Sequence, residues 1–199
     1  IGPPRILEFH GQTTYWNYNE DPRRYPVDTG RLRRVVELAA KEAGWGRSLP
    51  PRHGLGIAVH RSFVTYVATV VEAAVDERGN LSVPRVDVAV DCGFTVNPER
   101  VRSQMEGACV MGMSLATKSA ITYAEGRVQQ SNFHDYEVSR IDDAPREVRV
   151  HIVPAGLDVP PGGVGEPGVP PFAPALCNAI FAATGKRIRQ LPIGDQLRT

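Results

Sequence analysis

The fold is decided by one stretch of the sequence, residues 57–91, which reads IAVHRSFVTYVATVVEAAV, then DERGN, then LSVPRVDVAVD. The first segment, residues 57–75, is dense in Val, Tyr, Phe and Thr, which are enriched in strands. The polar residues 76–80 suit a turn, and Val86, Val88 and Val90 then alternate with Asp87 and Ala89. The stretch therefore predicts a long hairpin of two strands with one buried face.

Helical periodicity flanks this hairpin on both sides. The predicted helices span residues 31–43, 97–117 and 175–183. Asn97-Pro98 is a strong start for the second helix, and Gly185 is a suitable end for the third. The residues predicted to face inward from the second helix are Val101, Met105, Ala108, Gly112 and Leu115.

Two glycines, Gly107 and Gly112, lie inside that second helix, where each costs roughly 1 kcal/mol relative to Ala. Such a cost indicates either that another backbone or a ligand approaches closely or that two helices pack there.

Shorter strands are predicted at residues 120–123, 127–133 and 148–152. Strands and helices come in unequal blocks without regular βαβ alternation. This order favours an α+β fold, a two-layer mixed sheet with packed helices. The domain boundary falls near residue 28, with an extended N-terminal arm over residues 1–28 and one C-terminal domain over residues 29–199.

The arm contains aromatic residues without a period that would bury them, among them Tyr15, Trp16 and Tyr18. We therefore expect it to pack against a second chain or a missing domain. Arg31, Arg33 and Arg34 follow the arm, and a solvated basic face is the favoured interpretation over a phosphate site.

Composition excludes several classes of protein. The chain has 199 residues, 42% of them hydrophobic, with a net charge of +1 and scattered lysines and arginines, which argues against nucleic-acid binding. No apolar run approaches the ~20 residues that span a bilayer, and the first residues lack the pattern of a signal peptide. We therefore expect a soluble chain. Its compartment, cytoplasmic or periplasmic, is not assigned. Because residue 1 is not Met, we expect the natural polypeptide to begin earlier.

The three cysteines, Cys92, Cys109 and Cys177, have no Cys-x-x-Cys spacing, so they predict small core residues and no zinc or iron–sulfur site in this chain. His60 has no acidic or sulfur partner at a useful spacing and is interpreted as structural.

The most unusual segment is the loop PPGGVGEPGVPP, residues 160–171. Glycines let a backbone approach a bulky ligand, and prolines remove the freedom that glycines add. The combination predicts a rigid loop that presents one side chain, Glu166, the only ionisable group in these twelve residues. A carboxylate in such surroundings suits a general base. From the spacing alone, an exposed glutamate in a surface turn is the favoured interpretation, because Gly/Pro loops are common and no second catalytic group is adjacent.

Three motifs stand in order along the chain. Asp91-Cys92-Gly93 is followed by Val96-Asn97-Pro98 and by Gln104-Met105-Glu106-Gly107; then come residues 131–136 (SNFHDY); last comes Gly163-Val164-Gly165-Glu166-Pro167 with residues 170–180. Together they resemble the carboxy-terminal part of the large, molybdenum-binding subunit of molybdenum hydroxylases, the xanthine dehydrogenase/aldehyde oxidase family. The middle motif is similar to the branch that contains the isoquinoline 1-oxidoreductase beta-subunit type and related aldehyde dehydrogenases.

This resemblance implies roles for named residues. Glu166 is the expected catalytic base, Gly163, Val164 and Gly165 are expected to line the surroundings of the metal, and Gln104 is expected to contact the pterin. The implied cofactor is a molybdenum-pterin cofactor, expected as molybdopterin cytosine dinucleotide. No protein ligand to the metal is expected from this chain.

The same resemblance implies partners and a reaction. We expect the missing N-terminal part of the same subunit, a small subunit that holds the iron–sulfur clusters, and a small-molecule substrate, either an N-heteroaromatic compound or an aldehyde, which is hydroxylated with water-derived oxygen. Large subunits of this family are several times longer, and the glycine-rich segment that holds the other side of the metal centre is absent here. The chain alone is therefore expected to be inactive.

Two other functions remain open at this level. One is a non-catalytic binding or assembly module of the same fold. The other is a hydrolase that uses His134, Asp135 or His151, although neighbours such as His134 and Asp135 would point to opposite faces of an extended segment.

Overall fold

The structure, a computed structural model, describes residues 1–8 and 17–198. These residues form three α-helices and six strands, together with a short 3₁₀ helix at Gly194–Leu197. The elements are α1 (Thr29–Ala43), β1 (His53–Ser62), β2 (Thr65–Val75), β3 (Leu81–Asp91), α2 (Pro98–Thr117), β4 (Tyr123–Ala124), β5 (Arg127–Val128), β6 (Val148–Ile152) and α3 (Phe172–Thr184).

Four of the strands build one mixed sheet in the order β1-β2-β3-β6, which confirms the predicted fold class. β1 and β2 are antiparallel, as are β2 and β3, whereas β3 and β6 are parallel. A parallel pair needs a long crossover. Here the crossover includes α2 and the small ribbon β4-β5, so α2 begins near the carboxyl end of β3 and ends near the start of β6.

The predicted single strand over residues 57–75 is wrong, because a tight turn at Phe63-Val64 divides it into β1 and β2. Both turn residues have positive φ, 50° and 58°, the sign that two-residue type I′ hairpin turns need. Such turns normally carry Asn or Gly, so two apolar residues gave no turn signal. The predicted turn at residues 76–80 and strand at 81–91 are confirmed as the connection to β3 and β3 itself.

One face of the sheet packs against α2 and α3 through an apolar core. Its fully buried members include Met105, Cys109, Phe172 and Leu176. Gly112 lies against α3: a Cβ at this position would be 2.6 Å from Cβ of Phe172, so this glycine serves helix packing. The space beside Gly107 is open, and Leu115, predicted to face inward, is 38% exposed on the outer side of α2.

The other face of the sheet is covered by α1, which begins at Thr29 rather than Arg31 because Asp28 caps it by accepting from Gly30 N at 2.7 Å. The interpretation of Arg31 as part of a solvated basic face is wrong. Its guanidinium binds the buried Asp91 carboxylate at the end of β3, with Nη2 2.6 Å from Oδ1. Arg33 and Arg34 are exposed, as expected.

Several smaller expectations are also resolved. The strands predicted at 120–123 and 127–133 are only two residues long in the structure, as β4 and β5, and lie in an exposed segment. The helix α3 begins about one turn before the predicted residue 175. Cys92 and Cys109 are buried as predicted, and burial raises the pKa of the Cys109 thiol to about 12. Within the described residues, no helix combines the length and apolar character that a bilayer crossing requires.

The described part of the arm packs against the chain itself. Leu7 N donates to the Val27 carbonyl at 2.8 Å, and the ring of Tyr18 stacks on Phe63 at 4.9 Å between centroids. Tyr18 therefore has a contact within its own chain, and the predicted packing of the arm against a second chain or a missing domain stays a prediction. Tyr15 and Trp16 lie outside the described residues.

Candidate functional site

The loop of residues 160–171 lies at the end of the sheet where β3 and β6 both finish. It follows β6 along the chain and leads directly into α3. Three other segments meet it there: the Phe63-Val64 turn, the residues just after β3, and the first half of α2. The fold therefore brings the first and last of the predicted motifs together, although more than fifty residues separate them.

Backbone hydrogen bonds hold the start of the loop. Gly162 N donates to the Cys92 carbonyl at 2.8 Å, and Gly163 N donates to the Phe63 carbonyl at 2.9 Å. A Cβ at Gly162 would overlap the buried hydroxyl of Thr65, so glycine is required for the loop to lie this close to β2. The loop is thus fixed to two strands before it reaches Glu166.

The second half of the loop is packed against α2. A Cβ at Gly168 would lie 2.8 Å from Cβ of Ala108 and 3.0 Å from Sδ of Met105. One turn earlier on the helix, Nε2 of Gln104 lies 3.8 Å from the position that a Cβ on Gly165 would take. Gln104 and Gly165, both predicted as cofactor-binding residues, are therefore neighbours.

Glu166 is exposed, and its carboxylate makes no hydrogen bond or ion pair with any residue that the structure describes. Its backbone is nevertheless ordered by local contacts, since its carbonyl accepts from Val169 N at 3.0 Å and the next two residues, Pro167 and Gly168, are buried. Val164 is half-buried against the apolar core, whereas Gly163 is exposed. The arrangement is a fixed loop with a free carboxylate at its outer surface.

The histidines differ in their surroundings. His151 is 2.9 Å from the buried Asp87 carboxylate across the sheet. His134 is mostly exposed, and its Nε2 lies 3.5 Å from Oδ2 of Asp135, so the expectation that these neighbours point to opposite faces is wrong. Asp135 lies in a turn and not in an extended segment: it accepts from the backbone of Asn132 and Ser131, and these bonds lower the pKa of its carboxyl. His60 is partly buried, and burial lowers the pKa of its imidazole.

In the parts of the chain that the structure describes, neither His134 nor His151 hydrogen-bonds to a Ser or Cys side chain, and no group of three or more His, Cys, Asp or Glu residues could hold a metal. These contacts give no support to a hydrolase.

An open cavity of about 570 Å³ lies at the opposite end of the sheet, between the start of β3 and the end of α2. Its lining includes Leu81, Lys118, Asp143 and Ile193, and Lys118 is paired with Asp143 at 2.6 Å. The cavity is remote from the loop of residues 160–171 because it lies where β3 begins. The loop, where the carboxylate is free, is therefore the candidate site, and this cavity is not part of it.

Sequence reasoning missed the contacts that brace the loop from the arm. Tyr25, which was only part of an aromatic arm in the sequence, donates its hydroxyl to the Pro161 carbonyl at 3.0 Å. No periodicity could have revealed a contact between residues 136 positions apart.

Comparison with known proteins found related sequences and a related fold. A family model described as a molybdopterin cofactor-binding domain matches residues 32–145. The chain is 36% identical over 167 residues to the beta chain of isoquinoline 1-oxidoreductase from Brevundimonas diminuta, covering 82% of this chain and 21% of that protein. It is also 36% identical to one of the subunits of nicotinate dehydrogenase from Pseudomonas putida, with 80% of this chain and 15% of that protein covered.

Among solved structures, quinoline 2-oxidoreductase from Pseudomonas putida 86 has a similar fold, with a TM-score of 0.60 at 20% identity, covering 66% of this chain and 18% of that one. The chain spans about a fifth of the length of the curated relatives that it matches.

Proposed function

Because this chain belongs to the family of molybdopterin cofactor-binding domains, we propose that it forms one wall of a molybdenum cofactor site in an oxidoreductase. The reaction proposed is hydroxylation of an N-heteroaromatic or aldehyde substrate with oxygen from water. The observation that supports this most directly is the position of Gln104 beside Gly165, with the free carboxylate of Glu166 next along the loop.

The surface around Gln104 suits a pterin cofactor. The Gln104 side chain and the backbone amides of Gly165 and Glu166 have no hydrogen-bond partner among the described residues, so they are available to polar groups of a ligand. On the same side of α2, the space above Gly107 is open. Amide donors and acceptors beside an uncovered glycine are the features that a flat, polar ring system needs.

When bound, the molybdenum cofactor supplies the redox centre that takes two electrons from the substrate. Glu166 acts as the general base, and one of its carboxylate oxygens takes up the proton lost as water-derived oxygen joins an electron-poor carbon. A base must be held within about 2.6–3.2 Å of the group that it deprotonates. The fixed backbone on both sides of Glu166 holds the base at that distance. Gln104 and the loop amides orient the cofactor.

The substrate class and the partners follow from the relatives and belong to the proposal. The two relatives are named for isoquinoline and nicotinate, so we propose an N-heteroaromatic substrate. Another relative, 32% identical over 179 residues, is named an aldehyde dehydrogenase, so an aldehyde is the alternative substrate. The cofactor is proposed to be the cytosine dinucleotide form. The relatives are named as subunits, and we place the iron–sulfur clusters that receive the electrons in a separate partner protein of the same enzyme.

Replacing Glu166 by Gln in the complete enzyme tests the role of the base. The amide keeps the size of the side chain but cannot take up the proton, so kcat should fall by about 10²–10⁴-fold with molybdenum and pterin content unchanged. Glu77→Gln, in the exposed turn between β2 and β3, is the matched control and should keep the parent rate.

Turnover of the Glu166→Gln enzyme within a few-fold of the parent, with full cofactor content, would show that the loop is structural. A complete enzyme that contains neither molybdenum nor pterin would instead favour the non-catalytic binding or assembly module.

A further inference from the structure

The loop that carries Glu166 is braced by the arm through a buried tyrosine. Tyr25 is 7% exposed, and its hydroxyl donates to the carbonyl of Pro161 at 3.0 Å. Pro161 precedes Gly162 and Gly163, the residues whose amides bind Cys92 and Phe63. The tyrosine therefore fixes the peptide group between Pro161 and Gly162. The loop backbone would otherwise gain conformational freedom there, because glycines follow the prolines.

A second contact reaches the same part of the loop indirectly. The ring of Tyr18 stacks on the ring of Phe63, with 4.9 Å between centroids and an interplanar angle of 29°. The carbonyl of Phe63 is the acceptor for Gly163 N. The arm thus contacts both the loop and the turn to which the loop is bonded.

The arm is itself held in place, so it can act as a support. The buried Asn17 donates to the Tyr25 carbonyl at 3.0 Å and accepts from Arg61 at 3.0 Å. The hydroxyl of Tyr66, a residue only 1% exposed, donates to the Pro26 carbonyl at 3.0 Å and accepts from Asp28 N at 2.8 Å. These bonds fix the backbone that follows the Tyr25 side chain, and Tyr25 N, which precedes it, donates to the Asp21 carbonyl at 2.9 Å.

We infer that Tyr25 is a positioning residue for Glu166, and that residues 17–28 set the geometry of the proposed active-site loop. This inference rests on the proposed function, because it assigns to the arm a role in holding the general base. The arm lies outside residues 32–145, which match the family model, so the inference concerns a part of the chain that this match does not describe.

The test uses the complete enzyme with Tyr25→Phe, which keeps the ring and removes only the hydroxyl. Loss of this one hydrogen bond should make the amides of Gly162 and Gly163 exchange with solvent about 2- to 10-fold faster. Hydrogen exchange read by mass spectrometry on peptides covering residues 160–168 gives this result without reference to turnover. Tyr123→Phe is the matched control, since Tyr123 is 72% exposed in β4 and far from the loop.

A double-mutant cycle then separates positioning from a general loss of stability. Tyr25→Phe should lower kcat by about 10-fold, since a small misplacement of a catalytic group can cost up to ~10²-fold. In the Glu166→Gln background the same change should have almost no further effect on kcat, because the group that it positions is already gone.

Unchanged exchange in residues 160–168 would overturn the inference, as would a fall in kcat of equal size in both backgrounds. If Glu166→Gln itself leaves turnover intact, the proposed function fails. The exchange measurement still decides in that case whether Tyr25 holds the loop.

Discussion

The two faces of the four-stranded sheet differ in the side chains that they bury against the helices. The face under α2 and α3 is mainly apolar, with fully buried valines of β2 and β3 such as Val67, Val71, Val86 and Val88, and the buried Thr69 lies among them opposite Val88. The face under α1 carries three buried carboxylates, each paired with a basic side chain. These clusters are Asp91 with Arg31, Asp87 with Arg85 and His151, and Glu72 with Arg47 and His53.

The difference indicates how each face positions its helices. On the apolar face, α3 approaches β1 so closely that a Cβ on Gly54 or Gly56 would overlap the helix backbone, so shape determines the position of α3 and of the loop before it. On the charged face, Val35 and Ala39 of α1 pack on buried apolar residues of the sheet, and directional bonds add to this contact: Arg31 of α1 binds Asp91, and Arg85 of β3 donates to the Glu42 carbonyl at 2.6 Å. Both faces should therefore respond to changes in side-chain volume, and only the second should also respond to the loss of a charge.

The largest expected effect is on the charged face. Asp91→Ala leaves the guanidinium of Arg31 largely buried without its partner, and such a change typically costs about 3–5 kcal/mol of stability. Urea unfolding followed by circular dichroism measures the loss.

Removing both charges, in Arg31→Met with Asp91→Leu, should recover most of that stability, because two apolar side chains carry no desolvation cost. A double variant as unstable as Asp91→Ala would mean that the ion pair itself stabilises α1 and would contradict this interpretation.

A smaller loss is expected on the apolar face from Gly56→Ala. The added methyl group would overlap the Ala175 carbonyl and the Ala179 amide, so α3 must move, at a cost of about 1–3 kcal/mol. Gly107→Ala is the matched control, because its side is open and Ala favours a helix by roughly 1 kcal/mol. Equal stabilities for the two variants would argue against tight packing of α3.

The smallest expected effect is a dependence of stability on pH to which the charged face contributes and the apolar face does not. Burial raises the pKa of Asp87, but hydrogen bonds from His151 and Arg85 outweigh it, so the folded-state pKa lies below the ordinary 3.8. The pKa of Glu72 is likewise lowered from 4.5, where burial is outweighed by bonds from His53 and Arg47. The stability from both groups is thus complete above these ordinary values and is lost as the pH falls through the lower folded-state values.

Unfolding free energies measured from pH 6 down to the acid limit of folding should fall more steeply for the parent than for Asp87→Asn. Identical slopes would show that Asp87 does not contribute. The exposed control Glu77→Gln should follow the parent profile.

Hydrophobic periodicity and the residues typical of helix ends predicted the helices and strands whose burial follows a local sequence pattern. Asn97 and Gly185 border helices as expected, and β6 is where alternation placed it. The Phe63-Val64 turn was missed because its conformation is imposed by the pairing of β1 with β2 and is carried by residues without turn preference. Arg31 was misassigned because its partner Asp91 lies 60 residues away.

For the site, the motifs indicated which residues could be functional, and Gln104 lies beside Gly165 in the structure. The roles of Glu166 and of the loop glycines stay predictions. The support from Tyr25 could not be predicted, since a hydroxyl-to-carbonyl contact across 136 residues leaves no local pattern.

The parallel pairing of β3 with β6 has a consequence for engineering. Because β6 runs in the same direction as β3, the chain between α2 and β6, residues 118–147, leaves and re-enters at the end of the sheet away from Glu166. The tip of that segment, Glu125-Gly126 between β4 and β5, is exposed and has positive φ at both residues. A reporter or affinity module inserted there would extend away from the cofactor wall and leave the spacing between Gln104 and Glu166 unaltered, which makes this turn the natural attachment point for a tag.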